Sequence, residues 1–347
     1  MIDILLLKES SSKWEVPMKA LVFDQPGIEN LKMIEVKDPR PERGQVLIRV
    51  KMAGVNPIDA LVVTVIPSNP MPHIPGGEFA GTVEEIGDGV TSIKPGDRVT
   101  VYSRMSDGSC DMCLSGRENL CRNGSIISLG SNGGFSEYTV VEEKNVVKIG
   151  DEISWEMAAS LPVAALTPYH ALNRAELARE ENFVAFGASG NTGLFALQFA
   201  KERGATVMAV SDKDWVRGYG ADYVIPRESV LPEVARITSN KMADVVLNSL
   251  GESIWENSYS VLGTDGRLVS FGVLTGKNVA LDLGSLYSKQ VKLIGSTGGT
   301  MKEFIDLVGN ANRYKIRVWK KFGLEEGAEA IRALRSKERD GRILIEL

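Results

Sequence analysis

Short runs of apolar and β-branched residues, separated by glycine and proline, dominate the chain from residue 18 to about residue 150. Examples of the strands they predict are 45–50, 81–86 and 97–102. The Gly-Asp-Gly sequence at 87–89 is typical of the turns between such strands. The pattern predicts a mainly-β domain, either a partly open barrel or a sandwich with irregular loops.

From about residue 151, strand-like and helix-like stretches alternate. The predicted strands are 183–186, 206–210, 243–248, 267–271 and 291–295, and a helix is predicted over 192–203. Alternation at this spacing is typical of βαβ units and a parallel sheet. A helix over 324–336 and a strand over 342–347 are predicted to end the chain. The fold class is therefore α/β: a doubly wound Rossmann sheet over 151–298, beside a mainly-β domain of 1–150 and 299–347.

Composition narrows the range of partners. The 347 residues are 43% hydrophobic and 24% charged, with a formal net charge of -5 and no block of like charge. Proteins that bind nucleic acid usually carry a clustered basic surface, so we expect no nucleic-acid partner. No apolar run reaches the roughly 18 to 20 residues that cross a bilayer. Residues 1–17 look like an extension without the features of a signal peptide, and a cytoplasmic location is expected.

A glycine motif at 187–193 indicates a nucleotide site. It follows the predicted strand 183–186 and opens the predicted helix, so a phosphate would meet free N–H groups at the helix N-terminus. Gly187 permits the tight turn, Gly190 a close approach of backbone to pyrophosphate, and Gly193 close packing of helix and strand. The intervening cofactor candidates are Ser189, Asn191 and Thr192.

The next strand bears on the choice of dinucleotide. It is followed by Ser211, Asp212 and Lys213. Ser211 and Lys213 suit the 2′-phosphate of NADP(H), whereas Asp212 opposes it but stands one position late for binding the ribose of NAD(H). NADP(H) is therefore favoured over NAD(H). Arg217 and Arg342 are further candidates for contacting a cofactor phosphate.

A cysteine-rich loop indicates one zinc ion. Cys110 and Cys113 form a C-x-x-C pair, and Cys121 follows eight residues later. A structural zinc needs four ligands in a tetrahedron, and Asp107 continues the three-residue spacing backwards as a carboxylate ligand. The alternative is a loop with three free thiols, which are a reactive liability without a metal.

Several motifs together resemble the medium-chain dehydrogenase/reductase superfamily from Met18 onward. The sequences that carry the resemblance are Gly-Val-Asn-Pro-Ile-Asp at 54–59, Pro-Gly-Gly-Glu-Phe-Ala-Gly at 75–81, Lys-Pro-Gly-Asp-Arg-Val at 94–99, the cysteine loop, 158–172, the glycine motif and 220–222. The resemblance implies a GroES-like substrate domain beside a Rossmann domain, with the active site in the cleft between them. It also implies a homodimer or homotetramer, formed by extending the sheet at the edge near 291–295.

The resemblance also bears on catalysis. Zinc alcohol dehydrogenases of the superfamily hold a catalytic zinc with two cysteines and a histidine, whereas this chain has Asn56, Gly77 and Val163 at those positions. Asn56 is typical of the quinone oxidoreductase and enoyl reductase branch. Asn56 is predicted to bind substrate or the nicotinamide ribose, with Asp59 and Glu78 shaping the polar wall. For Asp59 and Glu78, a structural turn or ion pair is an equal alternative.

These observations favour an NAD(P)H-dependent reductase of a small electron-poor acceptor, a quinone or an activated C=C or carbonyl group. Such acceptors need less help than a simple alcohol, whose oxidation calls for a Lewis acid. Two alternatives stay open. One is an alcohol dehydrogenase with an unusual second zinc on Glu78 and Asp59, a poor ligand pair for zinc. The other is an NADPH-binding protein without catalytic activity.

Overall fold

Strands are the main elements of the first half of the molecule. The computed structural model describes residues 17–347, so the predicted extension lies outside the described residues except for Pro17. The strands up to residue 150 are β1 (Met18–Val22), β2 (Lys32–Val36), β3 (Gln45–Gly54), β4 (Phe79–Ile86), β5 (Arg98–Val101), β6 (Arg104–Met105), β7 (Ser125–Ile126), β8 (Tyr138–Glu142) and β9 (Val146–Lys148). The helices there are α1 (Pro57–Thr64) and the one-turn α2 (Asp111–Leu114).

The second half alternates strands with helices. Its strands are β10 (Asn182–Phe186), β11 (Thr206–Val210), β12 (Tyr223–Ile225), β13 (Ala243–Asn248), β14 (Leu262–Ser270), β15 (Lys292–Gly295), β16 (Val318–Gly323) and β17 (Arg342–Glu346). Its helices are α3 (Trp155–Ala158), α4 (Leu166–Arg174), α5 (Asn191–Glu202), α6 (Val230–Ile237), α7 (Trp255–Ser260), α8 (Leu283–Ser288), α9 (Met301–Gly309) and α10 (Gly327–Ala333).

Two large sheets organise these elements. A six-stranded sheet has the order β12-β11-β10-β13-β14-β15, with every pair parallel. A seven-stranded mixed sheet has the order β16-β17-β3-β4-β5-β9, with β8 also paired to β3. The chain therefore returns from the parallel sheet to the first sheet through β16 and β17. The predicted fold class, a Rossmann sheet beside a GroES-like mainly-β domain, is confirmed.

Burial explains why these segments form strands. The central strands β10 and β13 are almost fully buried, as expected for a parallel sheet covered on both faces. One hydrophobic cluster joins the two sheets, since Met52 and Leu344 of the mixed sheet pack in the same core as Phe195 of α5 and Phe304 of α9. The two sheets thus share an apolar interior, which fixes the walls of the cleft between them.

β14 and β16 are examples of strands that were not predicted correctly. β14 begins five residues earlier than expected, because its register with β13 is interrupted between Ala243 and Val245 and the extra residues resemble a turn. β16 was missed because it is a half-exposed strand at the edge of the sheet that carries Lys320 and Lys321, as edge strands often do. Among residues 17–347, none of the helices combines the length and the apolarity that a membrane span requires.

Candidate active site and metal centre

A cleft of about 500 Å³ lies between the two sheets. One wall is formed by the start of α1, with Asn56, Ile58 and Leu61. The other wall is formed by loops that follow β10, β13 and β14, all at the carboxyl ends of parallel strands. Strands β10 and β13 are neighbours although α5, β11, β12 and α6 lie between them in sequence, so the cleft opens where the strand order reverses, the usual ligand position in such sheets.

The glycine motif lines this cleft as predicted. Gly187 adopts a φ of 71°, a left-handed conformation that favours glycine. A Cβ on Gly193 would lie 2.2 Å from the Gly187 carbonyl oxygen, so only glycine lets α5 pack this closely on the turn. Ser189, Gly190, Asn191 and Thr192 complete the loop at the start of α5 and also line the cleft. The N–H groups at this helix start are available to a phosphate.

Behind the cleft wall, a buried ion pair joins the start of β17 to the residue that precedes β4. Arg342 on β17 donates from Nη2 to Glu78 Oε2 at 2.5 Å, and both side chains are at most 1% exposed. Arg342 also donates to Asn56 Oδ1 at 2.9 Å and to the Ser160 hydroxyl at 3.2 Å. A Cβ on Gly54 would lie within 2.4 Å of both charged groups, which explains the glycine beside them.

The other oxygen of Glu78 is held by backbone. Its Oε1 accepts hydrogen bonds from the N–H groups of Val163 and Ala164, at 2.8 and 2.7 Å. These residues belong to a π-helical turn (Leu161–Ala165), whose irregular backbone directs two successive N–H groups to one point. Asn56 Nδ2 donates to Glu78 Oε2 at 2.7 Å. Each oxygen of this buried carboxylate therefore has at least two donors.

Asp59 is buried at the start of α1. Its carboxylate accepts the backbone N–H of Asn56 at 2.7 Å and that of Gly77 at 3.3 Å, and with Asn56 it forms a capping box. Burial raises the pKa of Asp59 to about 7, although the two N–H groups oppose that shift. The charge of Glu78 adds to the increase.

These positions correct the predicted roles of two carboxylates. Asp59 and Glu78 are fully buried and do not line the cleft, so they support the wall from behind instead of forming its surface. Asn56 does line the cleft, and its contact with substrate or the nicotinamide ribose stays a prediction. The contacts of both residues match the alternative role. Asp59 caps the first turn of α1, and Glu78 forms an ion pair.

Arg342 was predicted as a cofactor-phosphate residue, and the structure corrects this as well. Its guanidinium is committed to Glu78, Asn56 and Ser160 inside the protein. The arginine that lines the cleft is Arg339, three residues earlier, which sequence analysis missed. A single arginine has no sequence signal of its own, and only the return of β17 to the mixed sheet places this one at the cleft.

Ser211 and Lys213 lie at the end of β11, beside the strand that leads into the glycine loop. The Ser211 hydroxyl accepts the backbone N–H of Lys213 at 3.0 Å, which closes a short turn. Arg217, in the 3-10 helix that follows, pairs with Asp214 at 2.9 Å and is not directed to the cleft.

Tyr102 is buried and donates to the Gly299 carbonyl at 2.7 Å, so its hydroxyl is not available to a substrate.

The cysteine loop brings its four predicted ligands together. Cys110 Sγ lies 3.6 Å from Cys113 Sγ and 3.9 Å from Cys121 Sγ, and Cys113 Sγ lies 3.4 Å from Asp107 Oδ1. All four ligand atoms lie within 4.8 Å of one another. Sulfur atoms on a tetrahedral zinc, each about 2.3 Å from the metal, are about 3.8 Å apart. The donor set and its spacing therefore fit one zinc ion.

The backbone around this loop prepares Asp107 for a cation. The N–H groups of Ser109 and Cys110 donate to its Oδ1 at 2.8 and 3.0 Å, and Asn123 donates to its Oδ2 at 2.7 Å. These donors hold the pKa of Asp107 well below its usual value. The carboxylate is therefore fixed in the ionised form that a metal ligand requires.

Both halves of the chain match known families. Residues 42–151 match the alcohol dehydrogenase GroES-like domain, and residues 192–313 match the zinc-binding dehydrogenase domain. The chain belongs to the medium-chain dehydrogenase/reductase superfamily. It is an NAD(P)-dependent oxidoreductase of that type.

Other members of the superfamily are similar over almost the whole chain. A thermostable alcohol dehydrogenase from Pyrobaculum aerophilum is 42% identical, with a TM-score of 0.89, covering 95% of this chain and 99% of that one. The acryloyl-coenzyme A reductase of Metallosphaera sedula is 32% identical and covers 90% of this chain and 95% of its own. The NAD-dependent alcohol dehydrogenase of Sulfolobus acidocaldarius is 30% identical, covering 95% and 100%.

The three residues that the resemblance places at catalytic-zinc ligand positions do not offer zinc ligands. Gly77 has no side chain, Val163 is aliphatic, and the Asn56 amide bonds to Glu78 and Arg342. Within residues 17–347, the group of His, Cys, Asp and Glu side chains placed to hold a metal is the cysteine loop. A catalytic zinc therefore does not fit the donors at the cleft, whereas a structural zinc fits those of the loop.

Proposed function

We propose that this superfamily member reduces an electron-poor acceptor with NAD(P)H, using one structural zinc and no catalytic zinc. The observation that carries the proposal is the Glu78–Arg342 ion pair with Asn56 locked to it. In this cluster Asn56, which the resemblance places at a catalytic-zinc ligand position, is held by hydrogen bonds to Glu78 and Arg342.

Hydride transfer to such an acceptor does not require a metal ion. The acceptor class includes quinones and conjugated carbonyl compounds, among them α,β-unsaturated thioesters such as the one named for the Metallosphaera relative. The reduced nicotinamide supplies a hydride, two electrons with one proton, to the acceptor, and water supplies the second proton. For an unsaturated thioester, the C=C bond becomes a CH–CH bond. No Lewis acid is needed because the conjugated carbonyl already draws charge from the double bond.

The Asn56 amide offers one hydrogen-bond donor on the wall of the cleft. Its Oδ1 accepts from Arg342 and Asn191, and one N–H of its Nδ2 donates to Glu78. The second N–H has no partner among the described residues and remains for a carbonyl or ribose oxygen in the cleft. The cluster behind it fixes the amide orientation, so Glu78 and Arg342 are positioning residues.

NADP(H) is the dinucleotide we favour. Ser211 and Lys213 at the end of β11 support this preference, while the relatives that are named NAD-dependent oppose it.

We further propose that the enzyme is cytoplasmic, acts on a small molecule and has no nucleic-acid or membrane partner. A mild acidic charge and the cluster of reduced thiols support that setting.

Metal content and turnover test the proposal together. Protein purified without a metal-chelating tag should hold one zinc per chain by elemental analysis. It should oxidise NADPH with quinones, conjugated ketones or acryloyl-coenzyme A, and Asn56→Ala should reduce kcat while the zinc content stays the same. Two zinc ions per chain, together with oxidation of simple alcohols, would contradict the proposal. That result would indicate an alcohol dehydrogenase, the activity named for the Pyrobaculum relative.

We also propose that the parallel sheet continues into a second copy of the chain through β15. This strand is at the sheet edge and exposes Leu293, and α8 beside it exposes Leu283 and Tyr287, with Tyr287 77% exposed. Exposed apolar edge strands are usually covered. Light scattering after size exclusion should show a dimer or tetramer, and Leu293→Asp should shift it toward monomer. A wild-type monomer would refute the interface.

A further inference from the structure

Arg339 is a cation in the cleft without an anionic partner. Its Nε donates to the Gly341 carbonyl at 3.1 Å, its Nη1 to the Leu334 carbonyl at 3.5 Å, and its Nη2 to Asn191 Oδ1. None of these acceptors carries a charge, and no ion pair to Arg339 forms within residues 17–347. A guanidinium has five N–H donors, so two remain without a partner.

The surroundings make this charge costly. Burial and the nearby charge of Arg342 lower the pKa of Arg339 to about 10. Charged groups away from water are normally paired, and Arg342 shows such a pairing with Glu78. Arg339 has no comparable carboxylate, although it lines a cleft that is open to a ligand.

The position of Arg339 relative to the glycine loop suggests which ligand neutralises it. Asn191, its hydrogen-bond partner, is the first residue of α5, and Gly187, Gly190 and Thr192 line the same cleft. In Rossmann folds the dinucleotide pyrophosphate lies at this helix start. Asn191 also donates to Val55 and Asn56 of the mixed sheet, which fixes its orientation. Arg339 thus faces the phosphate position from the opposite wall.

We propose that Arg339 binds the pyrophosphate of the dinucleotide, opposite the glycine loop. The arginine lies between α10 and β17, whereas the loop belongs to the parallel sheet, so the cofactor itself ties the two sheets together. The proposal rests on the dinucleotide-binding part of the proposed function and goes beyond it by assigning this residue. Planar guanidinium groups bind phosphate oxygens in pairs, and the two remaining N–H groups of Arg339 suit that geometry.

Equilibrium binding tests the assignment without requiring turnover. The ligands are NADPH, NADH and ADP-ribose, which all contain the pyrophosphate, and adenosine, which contains none. The variants are Arg339→Gln, Arg339→Lys and, as a matched control, Arg335→Gln, an exposed arginine four residues earlier. Arg339→Gln should weaken all three pyrophosphate ligands by a similar factor of about ten or more. Adenosine binding and the thermal midpoint should stay as in wild type.

The outcomes separate this assignment from its alternatives. Partial recovery with Arg339→Lys and a shallower salt dependence of binding in Arg339→Gln would support it. Loss of NADPH affinity alone would place Arg339 at the 2′-phosphate and refute the assignment, as would equal losses for adenosine and the pyrophosphate ligands. Unchanged binding by Arg339→Gln would refute only this inference. A wild-type protein that binds no dinucleotide would refute the proposed function as well.

Discussion

The buried cluster around Glu78 and the cysteine loop both gather several polar side chains at one point, but they hold them differently. In the cluster, Glu78 has four donors and its partner Arg342 has three acceptors, all supplied by the protein. In the loop, the sulfur atoms lie mainly against each other, and the one-turn helix α2 has no buried residue. The protein alone therefore fixes the cluster, whereas the loop places four ligand atoms around the position of the proposed zinc ion.

This difference bears on the proposed position of the zinc ion. A fully satisfied carboxylate has no open position for zinc, and opening one would leave buried donors without partners. The three thiols of the loop lie at tetrahedral spacing with Asp107, and a bound cation would supply bonds to sulfur that the protein itself does not. Variants at both places test this contrast, beginning with the one expected to have the largest effect.

Removing the buried carboxylate should have the largest effect on stability. Glu78→Ala leaves Arg342 buried without a counter-charge and two backbone N–H groups without an acceptor. The free energy of unfolding should fall by about 3–5 kcal/mol, measured by denaturant titration. Glu329→Ala, which breaks an exposed pair with Arg332, is the control and should cost less than about 1 kcal/mol.

The double variant Glu78→Ala/Arg342→Met sharpens this measurement. It removes both charges, so part of the lost stability should return compared with Glu78→Ala alone. A loss below about 1 kcal/mol in Glu78→Ala would contradict the view that the protein depends on this ion pair for its structure.

Removing one loop ligand should act locally. Cys113→Ser should lower zinc affinity by at least about a hundredfold, roughly 3 kcal/mol, because a thiolate ligand is lost. Elemental analysis should then find no zinc, and protease should cut within 107–123 while dinucleotide binding persists. Ser109→Ala, in the same loop but outside the ligand set, should keep its zinc. Loss of dinucleotide binding together with zinc would contradict the local role.

Titration of Asp59 should make stability depend on pH. Its pKa is about 7 in the folded protein and 3.8 in the reference state, so the folded form retains a proton that the unfolded form releases. Stability should therefore fall as the pH rises from about 4 to 7, by at most about 1.4 kcal/mol per pH unit. Asp59→Asn should remove this component. A difference between wild type and Asp59→Asn that is constant from pH 4 to 8 would contradict the assignment.

The smallest effect is expected for an exposed charge pair beside the zinc ligands. Arg122 and Asp111 lie 2.5 Å apart with more than half of each side chain exposed. Water and salt screen such a pair, so Arg122→Gln should leave the free energy of unfolding almost unchanged, by denaturant titration, and leave one zinc bound. A larger change would show that the loop depends on its charges as well as on its metal.

Much of the fold could be predicted from sequence, because its signals are local. β11 and β13 have the predicted bounds, since buried parallel strands form continuous apolar runs bounded by turns. The glycine motif and the cysteine spacing are also local, and the loop at the start of α5 and the four clustered ligand atoms lie where they were predicted.

The contacts of the candidate site could not be predicted in the same way. Whether Asp59 faces the cleft or supports its wall depends on the direction of one side chain at the start of α1, and residue type does not set that direction. Arg342 and Arg339 are only three residues apart, yet one is buried against Glu78 and the other lines the cleft. That difference arises because β17 begins at Arg342, and pairing in the sheet turns its side chain inward.

The Glu78–Arg342 contact also affects the order in which the protein folds. The two residues are 264 positions apart, and the whole parallel sheet lies between them in sequence. Contacts of such high sequence separation form slowly, because a long loop must close before they gain energy. Prior folding of the parallel sheet shortens this loop, so we expect the ion pair to form late. Until it forms, burial of Glu78 would leave its charge unpaired, so we expect this carboxylate to stay in contact with water.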